Sequence, residues 1–253
     1  MLGRVISCIA IFALAAHSVH GVKWYLKNPA GKTCILLNAT EVKGTITYEN
    51  ATTNSTSTFT FTINDPAKNE TLVPTGSCNV NGGSFIKVPF YPNGVTVPAT
   101  EAQPWSLTIY FNGTEGSSFR VTNYFLETTP AKYDIPTQNY TKASFAEDNI
   151  EAAGTNAFKC STTTLALTSE STSSVIRHES TITFSQLNLI AEALLEKEEF
   201  PNSQIYELCQ LDSRTSDVVP IVVGACLAGL VVIVLIAYLI GRARARRQGY
   251  ASV

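Results

Sequence analysis

The chain has 253 residues, 45% of them hydrophobic and 15% charged, with a formal net charge of −2. That balance excludes a disordered acidic or basic chain and leaves enough apolar material for a sizeable core. The small net charge hides an asymmetry. Residues 22–217 hold 13 Lys and Arg against 20 Asp and Glu, a net −7, while the last residues hold four arginines and no acid. An acidic bulk of this size argues against nucleic acid as a partner.

Met1 to Gly21 begins with Arg4, continues as an apolar run from Val5 to Ala16, and closes on a short polar segment from His17. This is the layout of a secretory signal peptide. Val19 and Gly21 are small enough for cleavage just before Val22, and Ala15 and Ala16 offer alternatives. The run is short for an uncleaved anchor, because a membrane span needs about 20 residues. Residues 22–217 are then expected outside the cytosol as one domain.

Of six cysteines, Cys8 falls in the signal and Cys226 in the apolar C-terminal run. Cys34, Cys78, Cys160 and Cys209 remain, and an even number in an oxidising compartment reads as two disulfides. Three pairings are possible on spacing alone. Asn-x-Ser/Thr sequons stand at Asn38, Asn50, Asn54, Asn69, Asn112 and Asn139. Six in one secreted segment predict N-glycosylation.

The patterns between these landmarks are those of strands. Thr45–Tyr48 and Thr58–Ile63 alternate polar with apolar residues. Ser84–Phe90, Trp105–Phe111 and Phe119–Leu126 are β-branched and aromatic runs, set off by Gly82-Gly83, Pro92-Asn93-Gly94 and a hairpin loop over Asn112–Ser118 with its sequon at the tip. Thr163–Thr168 and Thr181–Leu189 alternate again, and Ile190–Glu199 reads as a short helix before Pro201. Short strands at regular spacing predict an all-β, two-sheet domain.

From Val218 to Ile240 no side chain is charged. Helix over that length rises about 35 Å, enough to cross a bilayer core of about 30 Å. Arg242, Arg244, Arg246 and Arg247 come directly after it, which places that end in the cytosol. Anionic lipid headgroups suffice as their partner. The tail, 241–253, is expected to act as a short extended peptide. In the span Gly224 and Ala228, and Ala225 and Gly229, are spaced four apart, a pattern that lets a second helix approach closely and suggests a homo-oligomer. The chain ends Gly249-Tyr250-Ala251-Ser252-Val253. An extended peptide of this kind can add to a sheet edge while Tyr250 and Val253 fill separate pockets.

Catalytic chemistry finds little support. After signal removal one histidine remains, His178, and the cysteines are expected to be paired, so neither triad logic nor thiol catalysis is served. There is no His-x-x-x-His, no phosphate-binding glycine loop and no dinucleotide fingerprint. Glu147, Asp148 and Glu151 cluster, but acids among Ala and Asn more often form a solvated loop than a glycosidase pair. No enzyme, metal or cofactor is expected.

Taken together these residues resemble the lysosome-associated membrane glycoprotein family. Val219–Gly224, Leu227–Leu230 and Ile236–Arg242 are similar to the family's span, and Gly249-Tyr250 to the start of its sorting signal. Gly31–Leu37, Trp105–Leu107, Phe158–Cys160, Leu187–Ala193 and Glu207–Asp212 resemble landmarks of its luminal domain. The resemblance implies a β-prism-like domain with disulfides Cys34–Cys78 and Cys160–Cys209. It also implies that Tyr250 and Val253 fit a clathrin-adaptor medium subunit, with Gly249 favouring lysosomal delivery. The best-known members carry two luminal domains and longer polar spacers before the last residue, and this chain has neither. The expected organisation is a signal peptide (1–21), a luminal glycosylated domain (22–217), a transmembrane helix (218–240) and a cytoplasmic tail (241–253). The expected role is a structural, single-pass type I glycoprotein of the lysosomal membrane that also visits late endosomes and, transiently, the plasma membrane. The alternative is a receptor or trafficking adaptor that binds a luminal ligand, or cytosolic cargo through the arginines.

Overall fold

The structure, a computed structural model, describes residues 21–50, 55–64, 72–80, 83–94, 103–129, 135, 137–144, 146, 148–169, 180–215 and 218–248. Strands dominate. They are β1 (Val22–Lys27), β2 (Thr33–Ala39), β3 (Glu41–Asn50), β4 (Ser55–Thr62), β5 (Thr75–Val80), β6 (Gly83–Phe90), β7 (Trp105–Gly113), β8 (Phe119–Thr128), β9 (Gln138–Lys142), β10 (Glu151–Ala152), β11 (Ala157–Ser169), β12 (Ser180–Ile190) and β13 (Tyr206–Leu208). Among the described residues a short 3-10 turn (Pro92–Gly94) and two α-helices, α1 (Gln210–Thr215) and α2 (Val218–Gln248), complete the order.

Hydrogen bonds join all thirteen strands into one sheet, whose main path runs β1-β2-β12-β11-β9-β8-β7-β6-β5. The expected two layers are thus one continuous ladder that bends. The bend lies where β12 changes partner. Its first half pairs with β3 and its last residues with β2. Gln186 sits between the halves with φ 51, and the N–H of Thr40, between β2 and β3, donates to the Ser185 carbonyl at 2.9 Å. A left-handed residue in one strand opposite a corner in the other turns the ladder without breaking it.

The wing made by β3 and β4 packs over the β6–β8 face. Phe61 and Phe59 from β4 meet Trp105 of β7 at ring-centroid distances of 5.1 and 6.0 Å, and Phe90 of β6 closes the group. Trp105 is fully buried, and its indole N–H donates to the Thr129 carbonyl at 2.9 Å. A large apolar ring with its one polar atom satisfied suits the centre of such a core. Gly44 lies directly under Phe61, where an added Cβ would stand 2.1 Å from the ring.

The path does not close by hydrogen bonds. At its two ends β1–β2 and β5 face each other, and Cys34 on β2 is bonded to Cys78 on β5 with Cα atoms 6.1 Å apart. Gly76 in β5 lets that edge approach, since a Cβ there would meet the Phe85 carbonyl at 2.1 Å and Leu26 at 3.1 Å. The covalent staple therefore sits on the seam that the ladder leaves open. Closing a loop of 44 residues stabilises by about 4 kcal/mol in the chain-entropy picture.

Two expectations change. Ile190–Glu199 is not a helix. Its backbone lies beside β2, with Ala193 N donating to the Cys34 carbonyl at 2.9 Å and Leu195 pairing with Thr33 in both directions. Glu192 takes φ 53, which no right-handed helix can carry. The reverse holds after the span, because α2 continues through the arginines to Gln248. Ala, Arg and Gln are good helix formers, and no glycine interrupts them between Gly241 and Gly249. The first part of the tail is therefore helical rather than extended.

Candidate functional site: the membrane helix and the sequon-bearing face

The second disulfide ties the domain to the stretch that precedes the apolar helix. Cys160 on β11 bonds Cys209 with Cα atoms 5.2 Å apart, just after β13 has paired in parallel with β11. Cys209 N donates to the Lys159 carbonyl at 3.0 Å, and Asp212 of α1 accepts from Ser161 N at 2.7 Å. The segment that leads into α2 is thus held to a central strand by a covalent bond and two hydrogen bonds. Asp212 lies beside these sulfurs, but both are consumed in the disulfide, so the group offers no metal site.

α2 is long enough to cross a bilayer from Ile221 to Arg242, and its described side chains are exposed all round. Apolar residues on every face require an apolar solvent on every face. Gly224, Ala225, Ala228 and Gly229 form an unobstructed stripe there, with Cys226 exposed nearby. Gly249, Tyr250 and Val253 lie outside the described residues.

The sequons divide by surroundings. Asn112 and Asn139 are exposed, on β7 and β9. Asn112 belongs to the strand rather than to the hairpin tip, which is the turn Thr114–Ser118 closed by Thr114 N to Ser118 O at 3.0 Å. Asn38 is half-buried in β2 between Lys23 and Asn188, and its Oδ1 makes no hydrogen bond to a described residue. Asn50 ends β3 opposite Ser55. Asn54 and Asn69 lie outside the described residues.

The clustered acids separate. Asp148 turns inward, its side chain 4% exposed, to Lys142 Nζ at 2.7 Å. Glu151 turns outward to Arg120 Nε at 2.5 Å. Lys142 also lies 5.6 Å above the Tyr124 ring. Burial, and then the neighbouring Asp148 carboxylate, push the Tyr124 phenol well above its ordinary range. This group is a brace between β8, β9 and β10. Glu147 and His178 lie outside the described residues.

One buried acidic side chain had no local signal. Glu192 is 1% exposed and neither carboxylate oxygen has a hydrogen-bond partner among the described residues. It borders a cleft of about 420 Å³ that Leu194, Ile205 and Asn156 also line.

Comparison with known proteins decides the affiliation of the membrane segment. Residues 219–251 match the family model described as the transmembrane segment of lysosome-associated membrane glycoprotein 2. Over 47 residues, 19% of this chain, the sequence is 60% identical to lysosome-associated membrane glycoprotein 1 of Gallus gallus and 57% identical to that of Bos taurus. The membrane segment of this chain is similar to that of the lysosome-associated membrane glycoproteins. The match spans 11% of the length of those two relatives. Among solved structures, the membrane-proximal domain of mouse LAMP-1 is similar with a TM-score of 0.49 and 19% identity, over 76% of this chain and 98% of that one. The membrane-distal domain of mouse LAMP-2 gives 0.48 and 16%, over 75% and 99%. The chain itself has an all-β domain with two disulfides and, among the described residues, one apolar helix able to span a membrane.

Proposed function

We propose that this chain is a member of the lysosome-associated membrane glycoprotein family and a type I glycoprotein of the lysosomal membrane, a structural part of the luminal sugar lining. In this reading residues 1–21 are removed, 22–217 face the lumen, 218–240 span, and 241–253 face the cytosol. Tyr250 and Val253, with Gly249 before them, are the address read by a clathrin-adaptor medium subunit. Lipid headgroups hold the arginines, and late endosomes and the plasma membrane are stations on the route. The domain plays no catalytic part. Its stapled, strand-rich core and its sequons suit a surface that meets hydrolases.

The observation that carries this is the match of the span and tail to the family's transmembrane segment. The test is imaging of the full chain, tagged within the β domain, against a lysosomal marker, with and without Tyr250→Ala. The unchanged chain should collect in lysosomes and the variant at the cell surface. A variant that still collects in lysosomes removes the sorting role, and an unchanged chain that never arrives removes the location.

A further inference from the structure

Three neighbouring strands carry a row of rings on the outer face of the sheet. Tyr110 of β7 is 37% exposed, stacks on Phe85 of β6 at 5.5 Å and 27°, and meets the edge of Phe125 of β8 at 5.6 Å and 82°. Phe85 and Phe125 are themselves only half-buried. A ring held by two others loses little freedom when something lies on its open face, so the row is a prepared platform.

The sequence puts a glycosylation sequon beside that platform. Tyr110-Phe111-Asn112-Gly113-Thr114 has the aromatic two residues before the asparagine. Phe111 between them is buried, so Tyr110 and Asn112 point outward together, as strand alternation requires. The bulge nearby skips a residue of β8, since Tyr110 faces Asn123 and Phe111 faces Val121, so β7 keeps its alternation. Residues two apart on one strand face are about 7 Å apart, within one sugar's reach. Gly113 completes the arrangement. A Cβ there would meet the Ser118 carbonyl at 2.0 Å, so the tight hairpin that fixes Asn112 relative to Tyr110 needs glycine. Tyr48 precedes Asn50 by the same spacing, but its ring is half-buried against the core.

We propose that the N-glycan on Asn112 folds back along β7, so that its first N-acetylglucosamine lies on the Tyr110 ring. The hydrogens on one face of that sugar are slightly positive, and the ring face is negative. The contact removes the ring from water and clamps the β7–β8 hairpin. The glycan thereby becomes part of the fold rather than a coat over it. This rests on the glycosylated, luminal role proposed for the domain, and the test separates the two.

The full chain is expressed in glycosylating cells as wild type, Tyr110→Ala, Thr114→Ala and the double variant, and purified in detergent. Enzymatic release of N-glycans in heavy-oxygen water reports occupancy of Asn112 independently of stability, and urea unfolding reports stability. We expect an occupied Asn112. Losing the sequon should lower the folding equilibrium constant about five-fold when Tyr110 is present and leave it unchanged when it is absent. Trimming every glycan to its first sugar should preserve the effect, and Tyr110→Phe should retain it. The N-acetyl protons of the Asn112 sugar should be shifted upfield by the ring and return to ordinary values in Tyr110→Ala. An unoccupied Asn112 overturns both the contact and glycosylation of this site. An occupied Asn112 with additive losses and unshifted protons overturns the contact alone.

Discussion

The β domain and α2 obey opposite rules about where apolar residues go. In the domain, Trp24, Trp105, Ile35, Ile86 and Leu107 are fully buried, while Lys87 and Asn112 on two of the same strands reach water. In α2 the described side chains are exposed and almost all are apolar. One chain therefore uses two solvents. Water drives the domain together, whereas lipid gives α2 no reason to fold against it. A core residue matters for what it touches, and a span residue for its transfer into the bilayer.

Substitution can break that contrast. Trp105→Ala removes the ring at the centre of the Phe59, Phe61 and Phe90 group. It should destabilise the domain by about 3–5 kcal/mol, read as a lower urea midpoint by circular dichroism. Leu230→Ala in α2 should leave that midpoint unchanged. Next in size, Val231→Asp near the middle of the span should cost about 3 kcal/mol of insertion, seen as protein extracted by alkaline carbonate. Ser144→Asp, exposed at a turn, should change domain stability by less than about 0.5 kcal/mol. Equal effects at the two aspartates would erase the distinction.

Two carboxylates sharpen the comparison within the domain. Glu192 is buried with no hydrogen-bond partner among the described residues, so Glu192→Gln should stabilise by about 1–2 kcal/mol, read as a higher urea midpoint at neutral pH. Glu127 is partnered and half exposed. Its Oε2 accepts from Lys87 Nζ at 2.6 Å and Ser106 Oγ at 2.5 Å, and the Lys87 bond foremost holds its pKa below the usual carboxylate range. A depressed folded pKa contributes stability above the unfolded value and loses it as pH falls through the folded one. Glu127→Gln should therefore cost less than about 1 kcal/mol at neutral pH, with the difference from wild type vanishing once both carboxylate forms are protonated. A cost that persists in acid would assign Glu127 a role other than charge.

Much of this could be read from local patterns. The alternation in Thr58–Ile63 and Thr181–Leu189 marked strands, and the uncharged run from Val218 marked α2. Ile190–Glu199 misled because Ala, Leu and Glu favour helix locally, while Thr33 and Cys34 offer backbone partners from far along the chain. Of the outer platform, the sequon at Asn112 was legible. Its neighbours Phe85 and Phe125 come from other strands and carry no mark in the sequence near Tyr110.

Residue order alone settled whatever depends on a short window, namely strand alternation, spanning length, arginine flank and sequons, because a few adjacent residues set each of them. The three-dimensional arrangement settled the rest. It bent one sheet at Thr40 and Gln186, brought Cys34 to Cys78 across the open seam, and buried Glu192. Those outcomes depend on which strands of similar pattern become neighbours, and that choice is made by the shared core rather than by any one strand.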